Sequence, residues 1–349
     1  MKKKLIELGI YEQHKRTFVN KALQACLYYL STVSEETKKK MACSLQNKYF
    51  KLLDMKDLQS DYIYNKSFYQ KYLEIKEKLY IPIVYSLDDS YVKYTAVSMS
   101  SVLSNVSSDE IPMFFILKDS NLSKKSMDTL TKVVEEHNGE YIEFIDVEDK
   151  LGSLKSNIKH ITIQTYYRLL IPIVLKYLDK LVYLDGDTIV NGNIRELFTQ
   201  DIRDSYFAGV IAPAFVNKKH EQRLGISTQH YVNAGVLFIN NRLLIKDKMQ
   251  EKFLEMIKLD YDCMDQDILN VACRNKITLI PPQFNFMTKY LKEIESWIQK
   301  GFYTREQIDS IMQNPYIIHY ADKVKPWDDE NSFLAAYFWD YAKKTGLFK

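Results

Sequence analysis

The chain has 349 residues, of which 46% are hydrophobic and 27% charged, and its formal net charge is +3. Only 10 residues are glycine, whereas a usual share of roughly 7% would give about 24, and none falls in a G-x-G-x-x-G or G-x-x-x-x-G-K-[ST] pattern. Because both patterns cradle phosphate with glycine, the sequence argues against a Walker ATPase and a dinucleotide-binding dehydrogenase. The length suits one large α/β domain with an appendage, or two domains.

The four cysteines, Cys26, Cys43, Cys263 and Cys273, form no C-x-x-C pair. The sequence therefore indicates neither a disulfide framework nor a zinc site, and it suits a reduced cytosol. Lysines at positions 2–4 are not followed by the apolar stretch of roughly 7 to 15 residues that a secretory signal requires. No run of about 18 apolar residues occurs, so no membrane span is predicted, and we expect a cytoplasmic location.

Residues 1–78 are predicted to be helical and carry 16 Lys and Arg against 9 Asp and Glu, whereas residues 79–349 carry 32 against 36. The basicity is therefore local. Two interpretations stay open. The segment is an ordinary helical extension packed on the main domain, or its lysines, interleaved with Tyr and Phe, form a face for an anionic inner membrane surface or for a partner protein.

From residue 81, short β-rich runs alternate with helical stretches. Strands are predicted at 81–87, 112–117, 141–146 and 181–184, and helices at 91–105, 123–138 and 165–177. The alternation predicts an α/β fold with a mostly parallel sheet and helices on both faces, in which ligands bind beyond the carboxyl ends of the strands. Further strands are predicted at 207–211, 232–240 and 316–320, and helices at 241–257, 266–274 and 333–345. We delimit this α/β domain at 79–330, with a terminal helix over 331–349.

Carboxylates follow two of these strands, Asp88 and Asp89 after the first, and Asp185 and Asp187 after the fourth. The spacing D-x-D occurs three times in the chain, so spacing alone selects none of them. The pair at 185 and 187 is distinguished by the preceding apolar strand and the turn at Gly186. Two such carboxylates can share a hard divalent cation, which would neutralise a diphosphate without a glycine-rich loop.

Two other interpretations of this pair remain. It forms a solvated turn or helix cap, or it belongs to a haloacid-dehalogenase-type phosphatase. The phosphatase pattern continues Asp-x-Asp-Gly-Thr, whereas here Gly186 lies between the two Asp and Thr188 follows directly, so the match is displaced by one residue.

Further motifs follow in a fixed order, and with them the sequence resembles glycosyltransferase family 8 over residues 81 to about 330. This family includes bacterial lipopolysaccharide galactosyl- and glucosyltransferases and is distantly related to glycogenin. The matching segments are 88–89 (DD), 158–168 (IKHITIQTYYR), 185–187 (DGD), 233–236 (NAGV), 265–270 (DQDILN), 284–287 (FNFM) and 319–327 (HYADKVKPW).

The resemblance implies a GT-A fold, a UDP-sugar donor, Mn²⁺ as cofactor and retention of configuration at the anomeric carbon. It places Asp185, Asp187 and His319 as metal ligands. Asp88 corresponds to the uracil contact, Ser90 lies near the ribose, Ile161 and Thr165 line the base and ribose pocket, and Lys325 faces the diphosphate. Arg168, Asn233, Ala234, Asp265 and Gln266 correspond to the shell around the donor sugar. Gln266 lies near the anomeric centre and has no carboxylate for a stable adduct, so we favour front-side displacement, with Asp265 orienting the sugar.

Each residue taken alone has an ordinary alternative. His319 reads as a structural histidine, Lys325 as a surface lysine, Arg168 as a solvated charge, Asp265 with Asp267 as a helix cap, and Asn233 as the entry to a strand. For His160 three interpretations stay open: a donor-site residue, an acceptor-site residue, or neither.

The chain also departs from the family pattern at two positions. Asp322 stands where the family usually has Gly, and Ser90 where Asn is common. A carboxylate beside a diphosphate is unfavourable unless it points away or pairs, for example with Lys323, and a positive φ at Asp322 would be strained.

The sequence therefore predicts a cytoplasmic, Mn²⁺-dependent retaining hexosyltransferase. It would move galactose or glucose from a UDP-sugar to a lipid-linked glycan of lipopolysaccharide or another surface polysaccharide, or to a glycoprotein. The second hypothesis is a catalytically inactive protein of glycan assembly that binds UDP-sugar or acts as a scaffold.

Overall fold

The computed structural model describes residues 2–46, 62–151, 163–212, 218–259 and 261–348. The chain divides into two compact units. One comprises Met1–Tyr80, Ser108–Ile111 and Tyr177–Asp179, and the other Ile81–Ser107, Pro112–Lys176 and Lys180–Lys349.

The described residues up to 78 contain helices and no strands, as the sequence predicts. These helices are α1 (Lys2–Glu7), α2 (Tyr11–Leu27), α3 (Glu35–Ser44) and α4 (Lys66–Lys76). Ser34 and Asn65 cap the amino ends of α3 and α4 with their side chains, which satisfies amide groups that have no partner within the helix. Helix α2 buries Val19, Leu23 and Leu27, whose spacing of four residues places them on one face.

The second unit contains most of a mixed sheet, whose strands are β1 (Leu79–Ser86), β2 (Glu110–Lys118), β3 (Tyr141–Asp146), β4 (Leu181–Leu184), β6 (Phe207–Gly209), β7 (Val236–Ile239) and β8 (Ile277–Leu279). Across the described residues the strand order is β3-β2-β1-β4-β7-β6-β8. Strand β4 pairs in parallel with β1 and antiparallel with β7. The carboxyl ends of β1 and β4 therefore meet the amino end of β7, which confirms the predicted α/β fold.

A smaller, three-stranded sheet lies next to the carboxyl end of β4. Its strands are β5 (Thr188–Val190), β9 (Phe286–Met287) and β10 (Ile317–His319), in the order β5-β10-β9. His319 lies opposite Thr188 in the antiparallel pair and opposite Met287 in the parallel pair. This register brings a residue from the end of the chain next to the turn at residues 185–187.

The helices of the second unit are α5 (Val92–Ser104), α6 (Lys124–Glu136), α7 (Glu148–Leu151), α8 (Ile171–Val174), α9 (Arg195–Phe198), α10 (Lys218–Leu224), α11 (Asn241–Lys246), α12 (Met249–Met256), α13 (Met264–Cys273), α14 (Ile294–Gln299), α15 (Arg305–Gln313) and α16 (Ala335–Thr345). Within the described ranges, none of the helices combines the length and the apolar character that crossing a bilayer requires.

Three predicted elements differ from the observed ones. The helix predicted at 165–177 is a 3₁₀ helix, Ile163–Leu170, followed by the single turn of α8. The helix predicted at 241–257 is divided into α11 and α12 at Lys248, whose φ of 54° is left-handed. The strand predicted from residue 232 begins only at Val236, because the Asn233 side chain accepts a hydrogen bond from the Gly235 amide and turns the backbone.

Helix α16 closes the domain on an aromatic cluster. Phe338 and Tyr341 of this helix pack with Val97, Ile189 and Ile318. Burying an aromatic side chain in this way contributes on the order of 2 kcal/mol. The same cluster receives Trp327, so the predicted KPW segment at 325–327 is anchored on the core.

Candidate active site

A cavity of about 480 Å³ opens where β1, β4 and the amino end of β7 meet the start of α13. Its lining includes most of the site residues that the sequence predicts: Asp88, Thr165, Arg168, Asp185, Asp187, Asn233, Ala234, Asp265 and Gln266. His319 and Lys325 do not line the cavity but contact Asp187, which does. Ser90 does not line the cavity. Ile161 and His160 fall outside the residues that the structure describes. A volume of this order suits a small-molecule ligand.

The predicted metal ligands converge at one side of the cavity. Asp185, Asp187 and His319 each offer a ligand atom, and these atoms lie within 4.8 Å of one another. His319 Nε2 lies 3.3 Å from Asp187 Oδ1 and 3.8 Å from Asp185 Oδ2. Two carboxylates and one imidazole form a donor set that a divalent cation such as Mn²⁺ accepts.

The backbone beside this cluster leaves room only for glycine. A Cβ on Gly235 would lie 2.2 Å from His319 Cε1 and 2.6 Å from Asp185 Oδ2. Gly186 has a similar constraint, since its Cβ would lie 2.4 Å from Thr95 Oγ1. The backbone at Gly235 therefore lies directly against the His319 and Asp185 side chains, and the residues present fit a divalent cation.

Lys325 also contacts the acidic pair. Its Nζ lies 2.7 Å from Asp187 Oδ2 and donates to the Tyr320 carbonyl at 2.6 Å. Burial alone would raise the pKa of Asp187, but His319 and Lys325 hold it well below its usual range. Asp187 is therefore a carboxylate at neutral pH, which is the form that binds a cation.

Arg168 is buried and joins two parts of the site. Its Nη2 lies 2.9 Å from Asp185 Oδ1 and its Nε 2.9 Å from Asp265 Oδ2. The Nε–H donates to the Thr165 carbonyl at 3.1 Å, so the contact with Asp265 is an ion pair rather than a directed hydrogen bond. Nη1 donates to the Ala234 carbonyl. The Arg168 side chain is only 6% exposed. The alternative interpretation of Arg168 as a solvated surface charge is therefore wrong.

Asp265 lies on the first turn of α13 with its carboxyl buried. Burial raises the pKa of Asp265 to about 7, against the opposing effect of Arg168 and with a further contribution from the Asp185 carboxylate. The pKa of Arg168 is itself raised, because Asp185 and Asp265 outweigh its burial. Arg168 is thus charged throughout the physiological range, whereas Asp265 is poised between its two protonation states.

A chain of side-chain hydrogen bonds connects Gln266 with His319. Gln266 Oε1 accepts from Asn233 Nδ2 at 3.1 Å and from the Ala234 amide at 3.0 Å. Asn233 Oδ1 accepts from Asn285 Nδ2 at 2.9 Å, and Asn285 Oδ1 lies 3.0 Å from His319 Nδ1. The contact with Asn285 leaves Nε2 of His319 directed at the acidic pair.

Asp88 and Ser90 form a local turn at the end of β1. Asp88 Oδ1 accepts from the Ser90 amide at 2.9 Å and from its hydroxyl, so Asp88 caps the 3₁₀ turn Asp89–Tyr91. Asp88 still lines the cavity.

The backbone strain considered at Asp322 is absent. The described non-glycine residues with positive φ are Asn138, Lys248, Met264 and Leu334, so Asp322 adopts an ordinary conformation. Its carboxylate accepts from the Lys323 amide at 2.6 Å. The substitution of the usual glycine is therefore accommodated locally, without the side-chain ion pair that we considered.

Two cavity tyrosines were not singled out from the sequence. The Tyr183 hydroxyl donates to Asp185 Oδ1 at 3.0 Å, and its ring centroid lies 4.3 Å from the Arg168 guanidinium carbon. Tyr91 lines the cavity, and burial, with the charges of Asp187 and Asp185, raises its pKa. The sequence could have indicated Tyr183 as a site residue. Tyr183 precedes Asp185 by two residues, and side chains two residues apart lie on the same side of a strand.

Comparison with known proteins identifies the class. The sequence profile of Glycosyl transferase family 8 matches residues 82–331. Lipopolysaccharide 1,2-glucosyltransferase of Escherichia coli is 29% identical over 275 residues, which covers 76% of this chain and 78% of that relative. Lipopolysaccharide 1,3-galactosyltransferase of Salmonella typhimurium is 23% identical over 274 residues, or 75% and 77% of the two chains.

A solved structure supports the same class. The galactosyltransferase LgtC in complex with donor and acceptor sugar analogues superposes with a TM-score of 0.63 at 27% identity, over 77% of this chain and 98% of that one. The fold is therefore the GT-A fold of glycosyltransferases, as the sequence predicts. The chain belongs to glycosyltransferase family 8.

Proposed function

We propose that the protein is a retaining hexosyltransferase that uses Mn²⁺ to transfer galactose or glucose from a UDP-sugar to a glycan acceptor of lipopolysaccharide, another surface polysaccharide or a glycoprotein. The observation that carries the proposal is the convergence of Asp185, Asp187 and His319 at the cavity that Asp265 and Gln266 also line. The relatives named as lipopolysaccharide glucosyl- and galactosyltransferases support this acceptor class.

Asp185, Asp187 and His319 would hold the cation, and Lys325 adds a second positive charge beside Asp187. When bound, the cation supplies charge neutralisation for the diphosphate of the leaving UDP. Breaking the bond from sugar to phosphate builds negative charge on UDP, so preorganised positive groups lower the barrier. The uridine of the donor is proposed to contact Asp88, Ser90, Ile161 and Thr165.

Arg168, Asn233, Ala234 and Asp265 are proposed to hold the donor sugar. Asn233 and the Ala234 amide fix the Gln266 carboxamide, a neutral group that makes a poor nucleophile. We therefore favour a front-side displacement, in which the acceptor hydroxyl attacks the anomeric carbon and its proton passes to the departing phosphate oxygen. Asp265 positions the sugar in this scheme.

The proposal is tested with purified protein, a lipopolysaccharide-derived glycan as acceptor, and either UDP-galactose or UDP-glucose as donor, each with Mn²⁺ and with a chelator. We expect UDP release and a product of retained anomeric configuration with one donor, measured by NMR. Asp187→Asn should lower turnover at least about 100-fold, whereas the exposed Asp201→Asn should leave it unchanged. Full activity of Asp187→Asn, or activity unaffected by chelation, would overturn the metal assignment. Binding of UDP-sugar without release or transfer would instead support the inactive scaffold protein.

Residues 1–78 are proposed to attach the enzyme to the anionic inner face of a membrane. Large apolar side chains are exposed in this segment, at Ile6, Leu8, Tyr28, Tyr29 and Tyr64, and its charge is positive. Each basic residue near such a surface contributes on the order of 1 kcal/mol. We expect sedimentation with anionic liposomes that falls with salt and is lost when the lysines at 2–4 and 38–40 are replaced by glutamine. Binding that the replacements leave unchanged would exclude this role.

A further inference from the structure

A second group of metal-ligating side chains lies next to the proposed donor site. His220 of α10 meets Cys263 and Asp267, which lie at the start of α13, and their ligand atoms are within 4.8 Å of one another. Cys263 lines the cavity, whereas His220 and Asp267 are buried. The cysteine spacing in the sequence gives no sign of this group, because the ligands come from two elements far apart in the chain.

Cys263 and Asp267 both lie at the amino end of α13. Cys263 precedes the first helical residue, Met264, whose φ of 48° is left-handed, and Asp267 lies in the first turn. The Cys263 amide donates to Asp267 Oδ2 at 2.9 Å, and His220 Nε2 lies 3.0 Å from Asp267 Oδ1. The Asp267 carboxylate is therefore held by the Cys263 backbone amide and the His220 ring.

The surroundings of these three residues resemble the outer shell of a protein metal site. His220 Nδ1 lies 3.3 Å from Asp262 Oδ2, and Asp262 is itself paired with Arg223 at 2.6 Å. The Tyr231 hydroxyl donates to Asp267 Oδ1 at 2.5 Å. A metal-bound histidine almost always directs its other ring nitrogen at a carboxylate or carbonyl, and bound carboxylates are hydrogen-bonded in turn.

We propose that His220, Cys263 and Asp267 bind one divalent transition-metal ion of the Zn²⁺ class, at a site separate from Asp185, Asp187 and His319. A thiolate, an imidazole and a carboxylate form a donor set that suits Zn²⁺. Three protein ligands leave the fourth tetrahedral position for water or a substrate atom. The metal replaces the thiol proton of Cys263, which is released to solvent.

Such an ion would tie α10 to the amino end of α13, where Asp265 and Gln266 lie directly after Cys263 and Met264. The site therefore links metal binding to the position of the residues proposed to hold the donor sugar. The inference does not depend on the proposed transferase activity, because the binding is measured without turnover.

The test uses the full chain, stripped with a chelator and titrated with Co²⁺ as a spectroscopic substitute for Zn²⁺. We expect a near-ultraviolet thiolate-to-cobalt absorption band that saturates and is abolished by added Zn²⁺. Cys263→Ser and His220→Gln should lose the band. The control Cys26→Ser should retain it, as should Asp187→Asn, which alters the other metal site.

A measurement on the unmodified protein guards against a variant that fails to fold. Zn²⁺ should slow the alkylation of Cys263 by iodoacetamide at least 10-fold and leave the alkylation rate of Cys26 unchanged. Peptide mass spectrometry measures both rates. A cobalt band that is absent from the wild type, or that survives Cys263→Ser, would overturn the proposal, as would equal alkylation rates of Cys263 with and without Zn²⁺.

Discussion

Gly235 and His319 approach so closely that a Cβ at residue 235 would lie 2.2 Å from the imidazole Cε1. Gly235 does not have a left-handed φ. Glycine is therefore required at this position by the lack of space for a side chain and not by the backbone conformation. The strand that begins at Val236 pairs with β4, and this pairing presses the backbone at residue 235 against the proposed metal ligands.

We expect Gly235→Ala to lower metal-dependent turnover at least about 100-fold, because a methyl group would displace the His319 ring and misplacement by about 1 Å costs that much. Mn²⁺ affinity, measured by isothermal titration calorimetry, should fall in parallel. The matched control is Gly209→Ala in β6, whose Cβ would meet Val232 and Leu237 side chains at 3.2 Å. If Gly235→Ala binds Mn²⁺ as tightly as the wild type, the steric argument is wrong.

Arg168→Lys keeps the charge but cannot contact Asp185, Asp265 and the Ala234 carbonyl together. We expect at least about a 100-fold loss in kcat/KM. Arg168→Ala should in addition destabilise the fold by about 3–5 kcal/mol, since it leaves the buried Asp265 carboxyl without its ion-pair partner. Urea denaturation measures this second effect. Arg203→Ala provides the contrast, because its pair with Asp201 is exposed and its loss should leave the urea midpoint almost unchanged.

The raised pKa of Asp265 predicts how stability depends on pH in metal-free protein. Between about pH 4, where an ordinary Asp titrates, and about pH 7, the folded state binds more protons than the unfolded state. The free energy of unfolding should therefore fall as pH rises through this window. Asp265→Asn should flatten this part of the profile, measured by urea denaturation at several pH values. A profile that the substitution leaves unaltered would contradict the assignment.

Trp327 holds the segment that carries Lys325. Its ring stacks on Tyr94 with centroids 3.6 Å apart, and the neighbouring Pro326 carbonyl accepts from Trp339 at 3.0 Å. Trp327→Ala should raise the KM for the donor about 10-fold, because the loop must then be ordered on binding, while kcat changes less. Trp327→Phe keeps an aromatic ring and should restore most of the affinity. Equal kinetics for Trp327→Ala and wild type would show that the stack does not position Lys325.

Local pattern was sufficient for the strands and helices whose periodicity is strong. The strands predicted at 141–146 and 181–184 match β3 and β4, because runs of β-favouring apolar residues are bounded by polar ones. Pattern was insufficient where side chains redirect the backbone. The Asn233 side chain accepts a hydrogen bond from the Gly235 amide, and β7 therefore begins later than the pattern predicts. Strands β8 and β9 are too short to show a recognisable alternation of polar and apolar residues.

The sequence by itself determined the α/β class, the family and the identity of the acidic pair at 185 and 187, because these depend on residue types and their order along the chain. Tertiary structure decided which residues act together. The register of β10 with β5 brings His319 to Asp187, and the burial of Arg168 joins Asp185 to Asp265. It also brought His220 to Cys263 and Asp267. Such groupings depend on strand pairing and packing between distant segments, which no local spacing in the chain encodes.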